Sequence, residues 1–188
     1  MDDFAQYRTL TQFSRTLFAK PALRPILQRL QSKADYNLNI IFYLLWIAKA
    51  SQGRLTKQHF SALESHISLW HQRVILELKY THSLLAKHTD PTAMEIKHTI
   101  QDEILRANDI EQCLLCETDV KTHILQRTPE EQLSDACSSM VSYCEAQGSK
   151  VFVRHHPALV SLFSAVFDSV DKQAVVKALT LPDRSTLG

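Results

Sequence analysis

The 188-residue sequence predicts an all-α fold, a single-domain antiparallel bundle of about seven helices around one central apolar helix. Three observations predict it. Apolar residues recur every three to four positions along most of the chain, the period of a helix face. Glycine occurs only as Gly53, Gly148 and Gly188, too rarely for the tight hairpins and phosphate-cradling loops that need positive φ. The prolines, Pro21, Pro25, Pro91, Pro129, Pro157 and Pro182, stand where one periodic segment gives way to the next, as expected of a residue tolerated only in a helix's first turn.

Taken in order, the pattern predicts helices over 3–19, 22–33, 36–51, 57–88, 92–126, 129–146 and 157–180. The third is apolar nearly all round from Ile40 to Ala48. A bilayer span needs about 20 such residues, so this run reads as the buried centre of the bundle, with no membrane span. Asp35 is its natural N-cap and Gly53 its C-terminal stop. The fourth helix carries the stripe Phe60, Leu63, Ile67, Trp70, Val74 and Leu78. The fifth opens on Thr92-Ala93-Met94-Glu95, a capping-box pattern, and carries Ile96, Ile100, Ile104, Ala107, Ile110 and Leu114. The sixth starts at Thr128-Pro129-Glu130-Glu131, the same device with proline at the first helical position, and ends at Gly148. The last bears Leu159, Leu162, Phe163, Val166, Phe167, Val170 and Val175. That stripe completes the core or, alternatively, forms an amphipathic face for a partner. Residues 1–127 are expected to form the bundle, and 128–188 a C-terminal helical pair packing on it within the same domain.

The net charge of +1 hides an asymmetry. Residues 1–89 carry 12 Lys/Arg against 5 Asp/Glu, residues 90–149 carry 4 against 12, and the remainder is again slightly basic. Complementary packing of the halves explains this; a basic face for an anionic partner such as nucleic acid is the alternative. The acidic start Met1-Asp2-Asp3 is unlike a secretory leader. With four cysteines in no disulfide-framework pattern, it points to reduced thiols and a cytoplasmic protein.

No stretch carries a catalytic, cofactor or metal signature. Cys113-Leu114-Leu115-Cys116 lies inside a predicted helix, without the free amides that activate a redox pair, and reads as apolar filler. Glu95-Ile96-Lys97-His98 has the spacing of half a di-iron site, but no second Glu-x-x-His exists to complete it. The nine histidines, including His155-His156, show no ligand spacing. Neither a nucleophile elbow nor a Walker-type loop is present. The distinctive polar residues are Asp35, Asn37 and Asn39 at the entrance of the central helix. Trp70 and Arg73 lie one turn apart on the fourth helix. Buried amides demand partners, so these residues lock helices together or, with Trp46 and Tyr43, line a small-molecule pocket.

These residues carry a resemblance. The stretch from Phe13-Ser14-Arg15 through Asp35-Tyr36-Asn37-Leu38, Leu44-Leu45-Trp46 and Gly53-Arg54-Leu55 to Trp70-His71-Gln72-Arg73-Val74 resembles a bacterial family of small helical proteins known only as a domain of unknown function. The segment from Glu103 to Glu117 is similar to that family's closing helix. The resemblance covers about residues 10–118 and implies a cytoplasmic helical protein with no established activity. Residues 128–188 go beyond it. The functional expectation is a non-enzymatic module that binds another protein or a second copy of itself. A small-molecule site near Trp46, Trp70, Asn37 and Arg73 and nucleic-acid binding by the basic half are the alternatives.

Overall fold

The computed structural model describes residues 3–33, 36–120, 123–148 and 157–180. It is all-helical: no strand occurs among the described residues. The helices are α1 (Asp3–Ala19), α2 (Arg24–Lys33), α3 (Leu38–Lys49), α4 (Lys57–Trp70), α5 (Leu76–Leu84), α6 (Pro91–Glu117), α7 (Pro129–Ala146), α8 (Pro157–Val166) and α9 (Lys172–Thr180). A π turn, His71–Ile75, joins α4 to α5 in one continuous rod that ends in a 3₁₀ turn, Leu85–Lys87. The chain divides into two compact units. One comprises residues 12–61 with 120–188, the other residues 1–11 with 62–119, so the division falls inside α1 and α4.

The first unit is built on α3. Every residue from Leu38 to Ala48 is buried, and the helix packs against α2, α7 and α8. Its start lies three residues beyond Asp35: Asn37 is the N-cap, its Oδ1 accepting from the Asn39 amide at 2.9 Å. Asp35 lies outside the described residues, as do His155 and His156. The stop also differs from expectation. Ser51, at φ 58°, takes the left-handed position after the Ala50 cap. The amides of Ser51 and Gln52 reach back to the carbonyls of Ala48 and Ile47, both at 3.0 Å, which closes a Schellman motif. Gly53, at φ 83°, belongs to the following link, where an added Cβ would meet Leu125 Cδ1 at 3.2 Å.

Polar side chains tie that link to α7. The Leu55 amide donates to Ser139 Oγ at 2.8 Å, whose own hydroxyl donates to the Asp135 carbonyl. Gln132 Nε2 donates to Ser51 Oγ at 2.9 Å, and the Leu125 amide donates to the Ser51 carbonyl at 2.7 Å. The start of α7 is the predicted capping box, with both reciprocal bonds between Thr128 and Glu131 present. A second reciprocal pair opens α4, where His59 replaces the usual Glu: the Thr56 amide donates to His59 Nδ1 and the His59 amide to Thr56 Oγ1.

Two predicted helices were too long. The fifth ends at Glu117 instead of 126: Thr118 is extended and turns its hydroxyl back onto the Leu114 carbonyl. The last breaks into α8 and α9 because Asp171 caps a new start, its Oδ2 accepting from the Gln173 amide at 2.8 Å. Its stripe nevertheless goes to the core, from Leu159 to Val175. A third correction concerns the start of α6, which is Asp90 with Pro91 at the first helical position, the Asp90 carboxylate accepting from the Ala93 amide at 2.9 Å. Thr92 and Glu95 are exposed residues of the first turn and not its capping box.

Candidate functional site

The second unit contains the most unusual chemistry among the described residues. Its frame is an antiparallel hairpin, the α4–π–α5 rod folding back on α6. Up to Trp70 the rod follows expectation, with Phe60, Leu63 and Ile67 buried. Counted at about 100° per residue, Val74 should continue that face. The π turn inserts one residue and gives the place to Ile75, which is fully buried, while Val74 is only half-buried. Such turns occur often at functional sites.

Facing the π turn is a buried glutamate. Glu111 Oε1 and Oε2 lie 2.9 and 3.2 Å from His71 Nδ1, and the carboxylate side chain is entirely out of water. One helical turn earlier on α6, the Ala107 carbonyl accepts from Trp70 Nε1 at 3.0 Å. Lys79 lies on the same rod face two turns beyond His71. Burial lowers its ammonium from the ordinary lysine value, partly offset by attraction to Glu111. Glu64, two turns before His71, has its carboxyl raised by burial, and its Oε1 has no hydrogen-bond partner among the described residues. Glu64, His71, Lys79 and Glu111 thus place four ionisable groups at buried or half-buried positions of this hairpin.

The buried face of α6 is Ala93, Ile104, Ala107, Glu111, Gln112 and Leu115. The predicted stripe was wrong at four places: Ile96 and Ile110 are exposed and Ile100 and Leu114 are only half-buried. A purely apolar count skipped Glu111 and Gln112 and so rotated the helix. The available signal was Ala107, Glu111 and Leu115 at four-residue intervals.

What the interior spends on polar groups, the outside shows as apolar surface. Leu76, Tyr80, Leu105 and Met94 are 46, 61, 58 and 40% exposed. Each directly follows a residue of the facing stripes, namely Ile75, Lys79, Ile104 and Ala93. In antiparallel helices the positions just after the facing stripe fall on one side of the hairpin. Leu84, also exposed, continues this flank one turn past Tyr80.

The residues of the expected polar cluster are placed as follows in each unit. Asn37 caps α3, Asn39 is buried beside it, and Trp46 is buried with its ring 6.1 Å from that of Tyr43. These three belong to the α3 unit; Trp70 and Arg73 belong to the hairpin, where Arg73 is an exposed residue of the π turn. Cys113 and Cys116 are free thiols, pushed up by burial, Cys116 to about 12. A thiol so raised is neither a nucleophile nor a ready metal ligand near neutral pH. Among the described residues no cluster of three or more metal-ligating side chains occurs, and no helix is long and apolar enough to cross a membrane.

A family model described as "Protein of unknown function (DUF2390)" matches residues 9–115. The chain belongs to this family. The DUF2390 match thus takes in α3 and nearly all of the hairpin and stops before α7, α8 and α9. No curated protein and no solved structure matches the chain.

Proposed function

We propose that this protein is a non-enzymatic helical binding module that engages another protein through the exposed flank of the α5–α6 hairpin. The observation that carries the reading is the alignment of Leu76, Tyr80, Leu84, Leu105 and Met94 on one side of two paired helices. Single exposed leucines are ordinary; a row of large apolar residues along one helix side, as Leu76, Tyr80 and Leu84 form on α5, is a usual mark of an interaction site. Apolar anchors spaced by three or four residues suit a helix laid into a shallow groove. The α3 unit, with its apolar centre and capped ends, serves as the scaffold. Free thiols at Cys113, Cys116, Cys137 and Cys144 agree with a reducing, cytoplasmic setting.

A photo-crosslinking side chain placed at residue 80 tests this, with the same group at residue 110 as control. The reading predicts a discrete protein adduct from position 80 that disappears with Leu105→Gln, and none from position 110. Equal labelling from both positions, or no adduct from either, contradicts it.

A further inference from the structure

The lysines of this chain differ in what surrounds the amine. Lys20 Nζ donates to the Ala165 carbonyl at 3.0 Å, and Lys49 Nζ lies 5.6 Å from the centre of the Phe167 ring. Lys57 and Lys87 are exposed. Lys79 is half-buried in the hairpin, one turn past the fully buried Ile75. Among the described residues its amine makes no hydrogen bond, and the charge acting on it is that of Glu111. That carboxylate is entirely out of water and already engaged with His71. A half-buried amine with no hydrogen bond to break is suited to act as a nucleophile. The lowering of its ammonium by burial works in the same direction.

The buried carboxylate decides which electrophile suits this amine. Acylation turns the ammonium into a neutral amide and leaves Glu111 with one compensating cation fewer, which is costly for a buried charge. Condensation with a carbonyl compound keeps the positive charge. The nitrogen adds to the carbonyl carbon, and the oxygen leaves as water with two hydrogens from the ammonium. A protonated carbon–nitrogen double bond, an iminium, remains; nothing is oxidised or reduced. Water is a product, so a position partly closed to water favours the condensed form. A carbonyl compound bearing a negative charge would be repelled by Glu111, and an uncharged one is not. We infer that Lys79 is a covalent binding site for a small uncharged aldehyde, carried as an iminium whose charge Glu111 balances. The site does not depend on the docking flank.

The experiment treats the full chain with propionaldehyde and cyanoborohydride, which delivers hydride to the iminium carbon and leaves a stable secondary amine. Labelling at each lysine is read by peptide mass mapping, in the folded chain and in urea. A second series uses an acetylating N-hydroxysuccinimide ester. In the folded chain Lys79 is expected to take up aldehyde at least about threefold faster than Lys87, and the two to label alike in urea. The acetylating ester is expected to favour Lys87. Lys79→Arg keeps the charge, removes the primary amine and abolishes the preferred adduct. Glu111→Gln reduces aldehyde uptake at Lys79 to the level of Lys87, while labelling of Lys57 stays unchanged.

Aldehyde uptake at Lys79 no faster than at Lys87 overturns the inference and leaves Lys79 a shielded counter-charge to Glu111. Preference for Lys79 with both reagents overturns the selection by Glu111, since a merely reactive amine does not discriminate between them. Should Glu111→Gln fail to fold, the comparison of the two reagents on the unaltered chain still decides.

Discussion

The α3 unit and the hairpin bury their helices by opposite means. In α3 an unbroken run from Leu38 to Ala48 is enclosed by α2, α7 and α8, and polar side chains work at its ends, as caps and link ties. In the hairpin the polar groups sit at mid-helix, with Glu111 against His71 and Lys79 near by, and large apolar residues face outward. An apolar helix among apolar neighbours gains stability and leaves nothing to offer a partner. A hairpin held by a buried carboxylate–imidazole contact gains less, because taking the polar groups out of water offsets their attraction. It gains a defined register in return, and its leucines remain available.

The largest expected effect lies in the α3 unit. Phe42 is fully buried, its ring edge-on to Phe18 at 5.4 Å, and Phe42→Ala should cost about 3–5 kcal/mol in urea unfolding. Next comes the pair in the hairpin. Glu111→Ala leaves His71 without that acceptor and should cost about 2–3 kcal/mol, below the fully buried range because His71 is partly exposed. The double change His71→Leu/Glu111→Leu should recover most of the loss. If Glu111→Ala proved as mild as a surface change, the contrast between the two units would fail.

The π turn gives a sharper test. Deletion of exposed Gln72 should close it into regular helix, keep Ile75 inside and Leu76 outside, and change stability by no more than about 1–2 kcal/mol. Deleting a residue of regular helix, such as Ser65, should instead rotate the stripe and cost several times as much, read by thermal unfolding.

The smallest effect concerns Glu64. Burial raises its carboxyl above the ordinary 4.5, so the folded chain holds that proton more tightly than the unfolded one. This group's contribution therefore falls as pH rises through the window above 4.5 and stays unfavourable at neutral pH. Glu64→Gln should raise Tm at pH 7 by about 1–2 °C, and the gain should vanish toward pH 4.

The legible parts of the sequence were those where one local rule acts alone. Ile40 to Ala48 announced a central helix because no polar residue interrupts the run, and Thr128 to Glu131 announced a helix start because the capping box needs only four residues. Asn37 could not be separated from Asp35 as the cap, since both side chains serve equally well. The hairpin was read less well for a physical reason. A π turn inserts one residue without any compositional mark, and Glu111 is inside because His71 meets it from a residue forty positions away. No period of apolar residues records either fact. The exposed flank became visible only once α6 was rotated to its true face.

Hydrogen exchange followed by mass spectrometry tests the contrast between the two regions most directly. The account predicts the slowest exchange at Ile40–Ala48 and faster exchange in α5 and the first half of α6, where large apolar residues face outward. Exchange at Leu76–Leu84 as slow as at Ile40–Ala48 would contradict it.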